Sequence, residues 1–222
     1  MKYDPDTVKA WAGRSQWRAL RADFARFQVS GFSGWGSEGF WALTLYRLQK
    51  IAQHASPRWI WAPARAGLAI VKKLFTCITH ISLNHKAQIG PGMLIPYAGS
   101  IRVHGDTTIG ADCVLFHTCT IGADAQSAGA VIGDHVQIGC HSSILGPVVI
   151  GDRVTIAPNS LVLTHVPAGT TVMGVPAKAV NSSLLSNIAC QSIHHFSLLS
   201  DPQPCESPAR RERNANVTSG VR

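Results

Sequence analysis

With 222 residues, 45% of them hydrophobic and 14% charged, the chain has the composition of a globular protein of one or two domains, which excludes a fibrous or wholly disordered class. Its formal net charge of +8 raises nucleic acid as a partner, but the basic residues are scattered through the first 82 positions and the tail Arg210, Arg211 and Arg213. No aromatic and basic residues interleave along a groove element, so nucleic acid is set aside, and anionic cofactors or membrane headgroups suit the charge better.

From Asp6 to Ile81 the pattern is helical. Trp17, Leu20, Phe24 and Phe27 recur at three- or four-residue spacing, as do Trp41, Leu45, Leu48 and Ile51, and Gly31-Phe32-Ser33-Gly34-Trp35-Gly36 separates the two runs. Pro57 and Pro63 suit the opening of a third helix that runs to about Thr79. The apolar stretch Trp59 to Ile81 is interrupted by Arg65, Lys72 and Lys73, so an amphipathic helix is expected there rather than a membrane span. Peripheral membrane contact through these N-terminal helices stays open, with Trp35, Trp41, Trp59 and Trp61 as interfacial anchors.

A six-residue step follows. Val103, Ile109, Leu115 and Ile121, then Ile132, Ile138, Ile144, Ile150, Ile156 and Val162 are all aliphatic, and several precede glycine. That period belongs to a β-helix, in which each hexapeptide supplies one short strand and one corner and the stacked coils bury the aliphatic rungs. The step from Ile95 to Val103 is eight, which implies two extra residues near Tyr97-Ala98-Gly99-Ser100; the step from Ile121 to Ile132 is eleven, which implies a loop within residues 122–129. Three hexapeptides per coil sort the rungs into faces 89, 109, 132, 150; then 95, 115, 138, 156; then 103, 121, 144, 162. Residues two past each rung of the second face then share one corner: Tyr97, His117, Cys140 and Pro158. After Val162 the periodicity dissolves, and a closing segment is expected because terminal repeats need caps. The expected organisation is an α-helical region over 1–82, a β-helix domain over 83–181 and a largely disordered tail over 182–222.

Six cysteines, Cys77, Cys113, Cys119, Cys140, Cys190 and Cys205, show no CxxC spacing, and no signal peptide opens the chain, which predicts a reducing cytoplasm. Ten histidines raise the question of a metal, but none has the i, i+4 or cysteine-paired spacing of a zinc site, so no metal is expected. His104, His135, His141 and His165 read as solvated turn residues. His117 stands apart, because it shares a corner with Tyr97 and Cys140 just before the protruding loop, and a neutral imidazole there can accept a proton from a substrate hydroxyl. Cys140 offers a nucleophile or a small apolar packer. Lys178, in Gly-Val-Pro-Ala-Lys, offers a positive charge for a phosphate or an ordinary solvated lysine.

Residues 86–180 resemble the hexapeptide-repeat acyltransferases. The order Gly-Pro-Gly-Met-Leu-Ile, Gly-Ser-Ile-Arg-Val, Cys-Thr-Ile-Gly, Ile-Gly-Asp-His-Val-Gln-Ile-Gly, Ile-Leu-Gly-Pro-Val-Val-Ile-Gly and Gly-Val-Pro-Ala-Lys is similar to the serine O-acetyltransferase branch. The leader Gly-Phe-Trp-Ala-Leu-Thr-Leu-Tyr-Arg-Leu (39–48) resembles those of short serine-acetyltransferase-like proteins, many tied to surface-polysaccharide synthesis. The resemblance implies a left-handed parallel β-helix, a homotrimer with active sites between subunits, acetyl-CoA as co-substrate, and a histidine base that deprotonates the acceptor hydroxyl. Gly139, Cys140, Ala157 and Pro158 would then lie along the pantetheine arm, with Lys178 facing a CoA phosphate.

Where the family places its principal histidine this chain reads Met93-Leu94-Ile95-Pro96-Tyr97, and residues 126–130 supply no second one. Tyrosine near pKa 10 is a poor base at neutral pH. Three readings stay open: His117 takes the base role with Tyr97 orienting the acceptor or the oxyanion, His104 takes it from the neighbouring strand, or the protein binds acyl-CoA as a trimeric scaffold without efficient turnover. The acceptor is L-serine by the nearest family, or a sugar hydroxyl by the short leader. A metal-dependent hydrolase built on His117 and His141 of adjacent subunits is a further alternative.

Overall fold

The structure, a computed structural model, describes residues 16–31, 36–54, 62–122 and 129–180. The expected helix start near Asp6, the anchors Trp35, Trp59 and Trp61, the interior of the 122–129 loop and the tail from 182 onward lie outside the described residues. Three helices, α1 (Gln16–Val29), α2 (Glu38–His54) and α3 (Ala62–Thr79), precede a parallel β-solenoid of short strands in three sheets. The first sheet is β1 (Ile81–Leu83), β3 (Ile101–Val103), β6 (Thr120–Ile121), β9 (Ser143–Ile144) and β12 (Leu161–Val162). The second is β2 (Gln88–Ile89), β4 (Thr108–Ile109), β7 (Val131–Ile132) and β10 (Val149–Ile150). The third is β5 (Val114–Leu115), β8 (Gln137–Ile138), β11 (Thr155–Ile156), β13 (Thr171–Met173) and β14 (Lys178–Val180), with only the closing β13–β14 pair antiparallel.

The rung faces counted from the sequence are the faces observed. Ile89, Ile109, Ile132 and Ile150 stand in register; so do Leu115, Ile138 and Ile156; and so do Val103, Ile121, Ile144 and Val162. All of these side chains are buried, each worth roughly 1.5–3 kcal/mol relative to exposure. Alternation within a strand turns the residue two before each rung inward as well, which buries Cys113, Val136 and Val154 on one face and Cys119, Ser142 and Ser160 on another. Three of the polar members donate to a neighbouring coil, Cys113 Sγ to the Gly133 carbonyl (3.3 Å), Cys119 Sγ to Gly139 (3.1 Å) and Ser142 Oγ to Ala157 (3.0 Å), while Ser160 Oγ accepts the Gly174 N–H (3.3 Å). Burial pushes the Cys113 thiol up to about 12 and the Cys119 thiol up to about 11, so both are packing groups rather than nucleophiles.

At both ends the ladder runs further than the six-residue count suggests. Leu83 pairs with Val103, one full step before Ile89, so strand structure begins directly after α3. Beyond Val162, where the periodicity was expected to dissolve, Val166 pairs with Ile150 and Val172 with Ile156. The step from Val162 to Val166 is only four residues, and His165 explains why the shortened corner holds: its Nδ1 accepts the Val149 N–H (2.9 Å). His165 is thus a structural acceptor, not the freely solvated turn residue expected.

The helices are fastened to the first coil through buried polar groups. Asp23 and Arg47, 0% and 1% exposed, pair at 3.1 Å. Arg47 also donates to the carbonyls of Ile89 (2.7 Å) and Gly90 (2.5 Å), and Asp23 Oδ1 accepts the Met93 N–H (3.1 Å). Tyr46 donates its hydroxyl to the Ala87 carbonyl (2.6 Å). Gly39 is required by contact: a Cβ there would stand 2.1 Å from the Ile95 carbonyl oxygen. The motif 39–48 is therefore a docking face for the coil that carries Tyr97.

α3 is amphipathic in an unexpected sense. Lys72 turns inward to Gln49 Oε1 (2.8 Å) and the Leu83 carbonyl (2.7 Å), while Ile70, Leu74 and Ile78 face outward at 61%, 60% and 79% exposure. The reason is that β1 is an edge strand, and the Lys72 ammonium satisfies a carbonyl at that edge. No helix among the described residues is long and apolar enough to cross a membrane.

Lys50 lies over the Tyr46 ring (5.4 Å), and burial, then Arg47, lowers its ammonium from 10.5 to about 8. Between those values the unfolded chain binds the proton more readily than the folded one, so stability rises as pH climbs through that window. Lys50→Met should flatten this rise, and urea midpoints measured at the two ends of the window check it.

Candidate active site

The corner expected to gather Tyr97, His117, Cys140 and Pro158 does bring an aromatic group together. The His117 ring stands edge-on between Tyr97 (centroids 6.2 Å, 81°) and His141 (5.6 Å, 86°), and Phe116 lies 6.4 Å from Tyr97. Tyr97 is 41% exposed at the mouth of this group. The backbone explains the arrangement. Thr118, His141 and Asn159, each three past a rung, bend the chain with φ of 59°, 59° and 56°, and this bend sets the His141 ring against His117 one coil below.

The two extra residues in 97–100 fold down onto His117. Gly99 has φ 152°, and a Cβ there would stand 2.7 Å from His117 Cβ, so only glycine lets the segment approach so closely. Within this enclosure His117 Nδ1 is buried without a hydrogen-bond partner among the described residues. Leaving such a group unpaired costs roughly 1–3 kcal/mol. A buried ring nitrogen held at that cost is a functional candidate.

The other anticipated residues are placed as follows. Gly139 is buried, and a Cβ on it would meet the Pro158 nitrogen at 2.6 Å; Cys140 is half-buried with a free thiol, Ala157 is half-buried, and Pro158 is exposed. These four continue the His117 corner over the next two coils. Lys178 is exposed on β14 opposite Met173, apart from the aromatic group. His104 lies on a different corner, where a Cβ on Gly122 would come within 2.4 Å of its Cβ, so it flanks the 122–129 loop rather than His117. His135 is exposed on the third corner. No three His, Cys, Asp or Glu side chains among the described residues converge to hold a metal ion.

Phe116 is the member absent from the sequence reading, and His141 entered it only as a solvated turn residue or as a metal ligand across subunits, not as a neighbour of His117 in the same chain. Their positions, one and three past the rung, carry the signal: on a corner bent at the third residue, neighbours on either side of His117 also converge.

Residues 129–164 match the family described as bacterial transferase hexapeptide (six repeats). A serine acetyltransferase of Escherichia coli strain K12 is 30% identical over 163 residues, covering 72% of this chain, but the chain spans only 57% of that relative's length. A serine acetyltransferase of Helicobacter pylori is 32% identical over 145 residues, covering 64% of this chain and 81% of the relative. Among solved structures, soybean serine acetyltransferase complexed with serine superposes with a TM-score of 0.62 at 25% identity, covering 78% of this chain and 72% of that one. With the coil register, the leader helices and this extent of identity in agreement, the chain belongs to the serine acetyltransferase family of hexapeptide-repeat proteins.

Proposed function

We propose that the protein is an acetyl-CoA-dependent O-acetyltransferase in which His117 is the general base. The observation that carries this reading is the His117 ring seated edge-on between Tyr97 and His141, on the corner that Gly139, Cys140, Ala157 and Pro158 continue. Neutral imidazole takes the proton of the acceptor hydroxyl as its oxygen attacks the thioester carbonyl. Collapse of the tetrahedral intermediate breaks the C–S bond, and the imidazolium returns the proton to the departing thiolate, leaving an O-acetyl ester and free CoA. Tyr97, at the exposed edge of the group, orients the acceptor or donates its phenolic hydrogen to the oxyanion. No acyl-enzyme is required, so Cys140 needs no nucleophilic role.

The donor arm fits along Gly139, Cys140, Ala157 and Pro158, where small residues let a pantetheine chain approach the backbone, and Lys178 stands beyond them for a CoA phosphate. A homotrimer with the site between subunits suits Leu145 and Leu163, which occupy equivalent positions one coil apart and are 37% and 50% exposed.

L-serine is the acceptor that the family relatives suggest. One observation favours a sugar hydroxyl instead: Tyr97 and Phe116 present aromatic surface, and residues 97–100, 116–118, 139–141 and 157–159 contain no Lys, Arg, Asp or Glu to pair with a zwitterion. Acceptor-dependent release of free CoA, measured with L-serine and a panel of sugars, tests the proposal. Release with either acceptor class is the expected result; none with any acceptor at high protein concentration would leave the scaffold reading.

A further inference from the structure

Between residues 39 and 105 the chain carries Arg47, Lys50, Arg58, Arg65, Lys72, Lys73, Lys86 and Arg102 and not one Asp or Glu. The fold gathers part of this excess at the junction of α2, α3 and the first coil. Lys72 Nζ is fixed there by Gln49 Oε1 and the Leu83 carbonyl, which use two of its three protons. Lys50 lies half-buried over Tyr46, whose hydroxyl reaches the Ala87 carbonyl, so Lys50 sits beside the 84–87 turn. His85 and Lys86 lie on that turn, which Asn84 closes by accepting the N–H groups of Lys86 (Oδ1, 3.0 Å) and Ala87 (carbonyl, 3.1 Å).

The three lysines lie within electrostatic reach of His85. Burial, then Lys72, Lys86 and Lys50, holds the His85 imidazole below its usual range. The ion pairs formed among the described residues, Arg47 with Asp23 and Arg26 with Asp112, involve none of the four. Asp106 stands opposite Lys86 on the adjoining 104–107 turn but closes no ion pair with it, and Asp23 is saturated by Arg47 and the Met93 amide. The three ammonium groups act on the His85 imidazole without an ion-pair partner among the described residues, and an anion bound among them offsets that repulsion.

We propose that Lys50, Lys72, His85 and Lys86 form a binding site for a phosphate group, separate from the acetyl-transfer corner. Lysine suits this task as a compact point charge with rotatable donors, and the Lys72 proton left free by its two protein bonds is already positioned. A free phosphorylated metabolite and an anionic lipid headgroup present the same chemistry, and the two are separable by experiment.

The test uses the full chain with two probes, inorganic phosphate and vesicles of phosphatidylcholine with or without phosphatidylglycerol. Phosphate should raise the thermal midpoint above that in sodium chloride of equal ionic strength, and Lys50→Gln with Lys86→Gln, which together remove two charge-assisted contacts, should weaken binding by at least about tenfold. The double variant loses repulsion, so without phosphate it should be at least as stable as the parent, and its circular dichroism verifies folding. Flotation with phosphatidylglycerol vesicles alone identifies a lipid headgroup as the ligand, and a phosphate response without flotation identifies a soluble phosphate compound. Equal midpoints in phosphate and chloride together with no charge-dependent flotation, or responses identical in parent and double variant, would overturn the proposal.

Discussion

Arg47→Met should destabilise the protein by about 3–5 kcal/mol, the usual result of stripping one partner from a buried ion pair. Three groups lose their partner at once: the Asp23 carboxylate, the Ile89 carbonyl and the Gly90 carbonyl, all out of contact with water. Against a total stability of roughly 5–15 kcal/mol, that loss is enough to release α1 and α2 from the first coil. The deficit should depend on pH in a known direction. Burial already pushes the Asp23 carboxyl up, with Arg47 opposing it, so removing Arg47 raises it further. A carboxyl raised in the folded state favours folding as pH falls, so the variant should regain part of its stability on acidification. Adding Asp23→Asn should also restore much of the loss at neutral pH, since it removes the uncompensated charge and keeps an acceptor for the Met93 N–H. Urea midpoints for the two single variants and the double form a mutant cycle. A single variant within about 1 kcal/mol of the parent would show that the pair is not what fastens the helices.

That fastening links the leader to the coil that carries the candidate site. Asp23 and Arg47 hold the backbone at 89, 90 and 93, and Gly39 presses on Ile95, two residues before Tyr97. None of this was legible in the sequence. The pair joins residues 24 apart on two helices, and each member looks like an ordinary surface charge in a linear reading. The six-residue step, by contrast, is a local rule: each hexapeptide dictates its own rung, so counting from Val103 to Val162 placed every face correctly. The count stopped short at Val166 because the corner there is closed by the His165 side chain rather than by the usual number of residues. The same difference governs the site. Tyr97 and His117 follow from the count, whereas His141 enters only because the third residue past the rung adopts positive φ, a backbone property that a side-chain pattern does not carry.

His117→Ala should lower the turnover number about 10²–10⁴-fold, the range a positioned general base contributes. Turnover separates a catalytic role from a scaffold role in this variant, and stability is the control that the fold is kept. Removing the ring leaves a void beside Tyr97 and His141, which lowers the thermal midpoint. Because Nδ1 is buried without a partner among the described residues, deleting it also removes a desolvation penalty, so the midpoint should fall little or rise. Lost turnover with retained stability and unchanged CoA binding is therefore the signature of a base, held in a strained environment because the chemistry requires it. His104→Ala supplies the contrast: its ring belongs to another corner, and turnover should stay within about twofold of the parent, as for a surface change away from the site. Tyr97→Phe separates the two roles of the neighbouring ring. If the phenol donates to the oxyanion, that variant should lose roughly 10²–10³ in turnover, whereas an orienting ring alone would raise the acceptor KM and spare the rate. Full activity in His117→Ala would remove this imidazole from the mechanism and return the base role to another residue, His104 being the first to test.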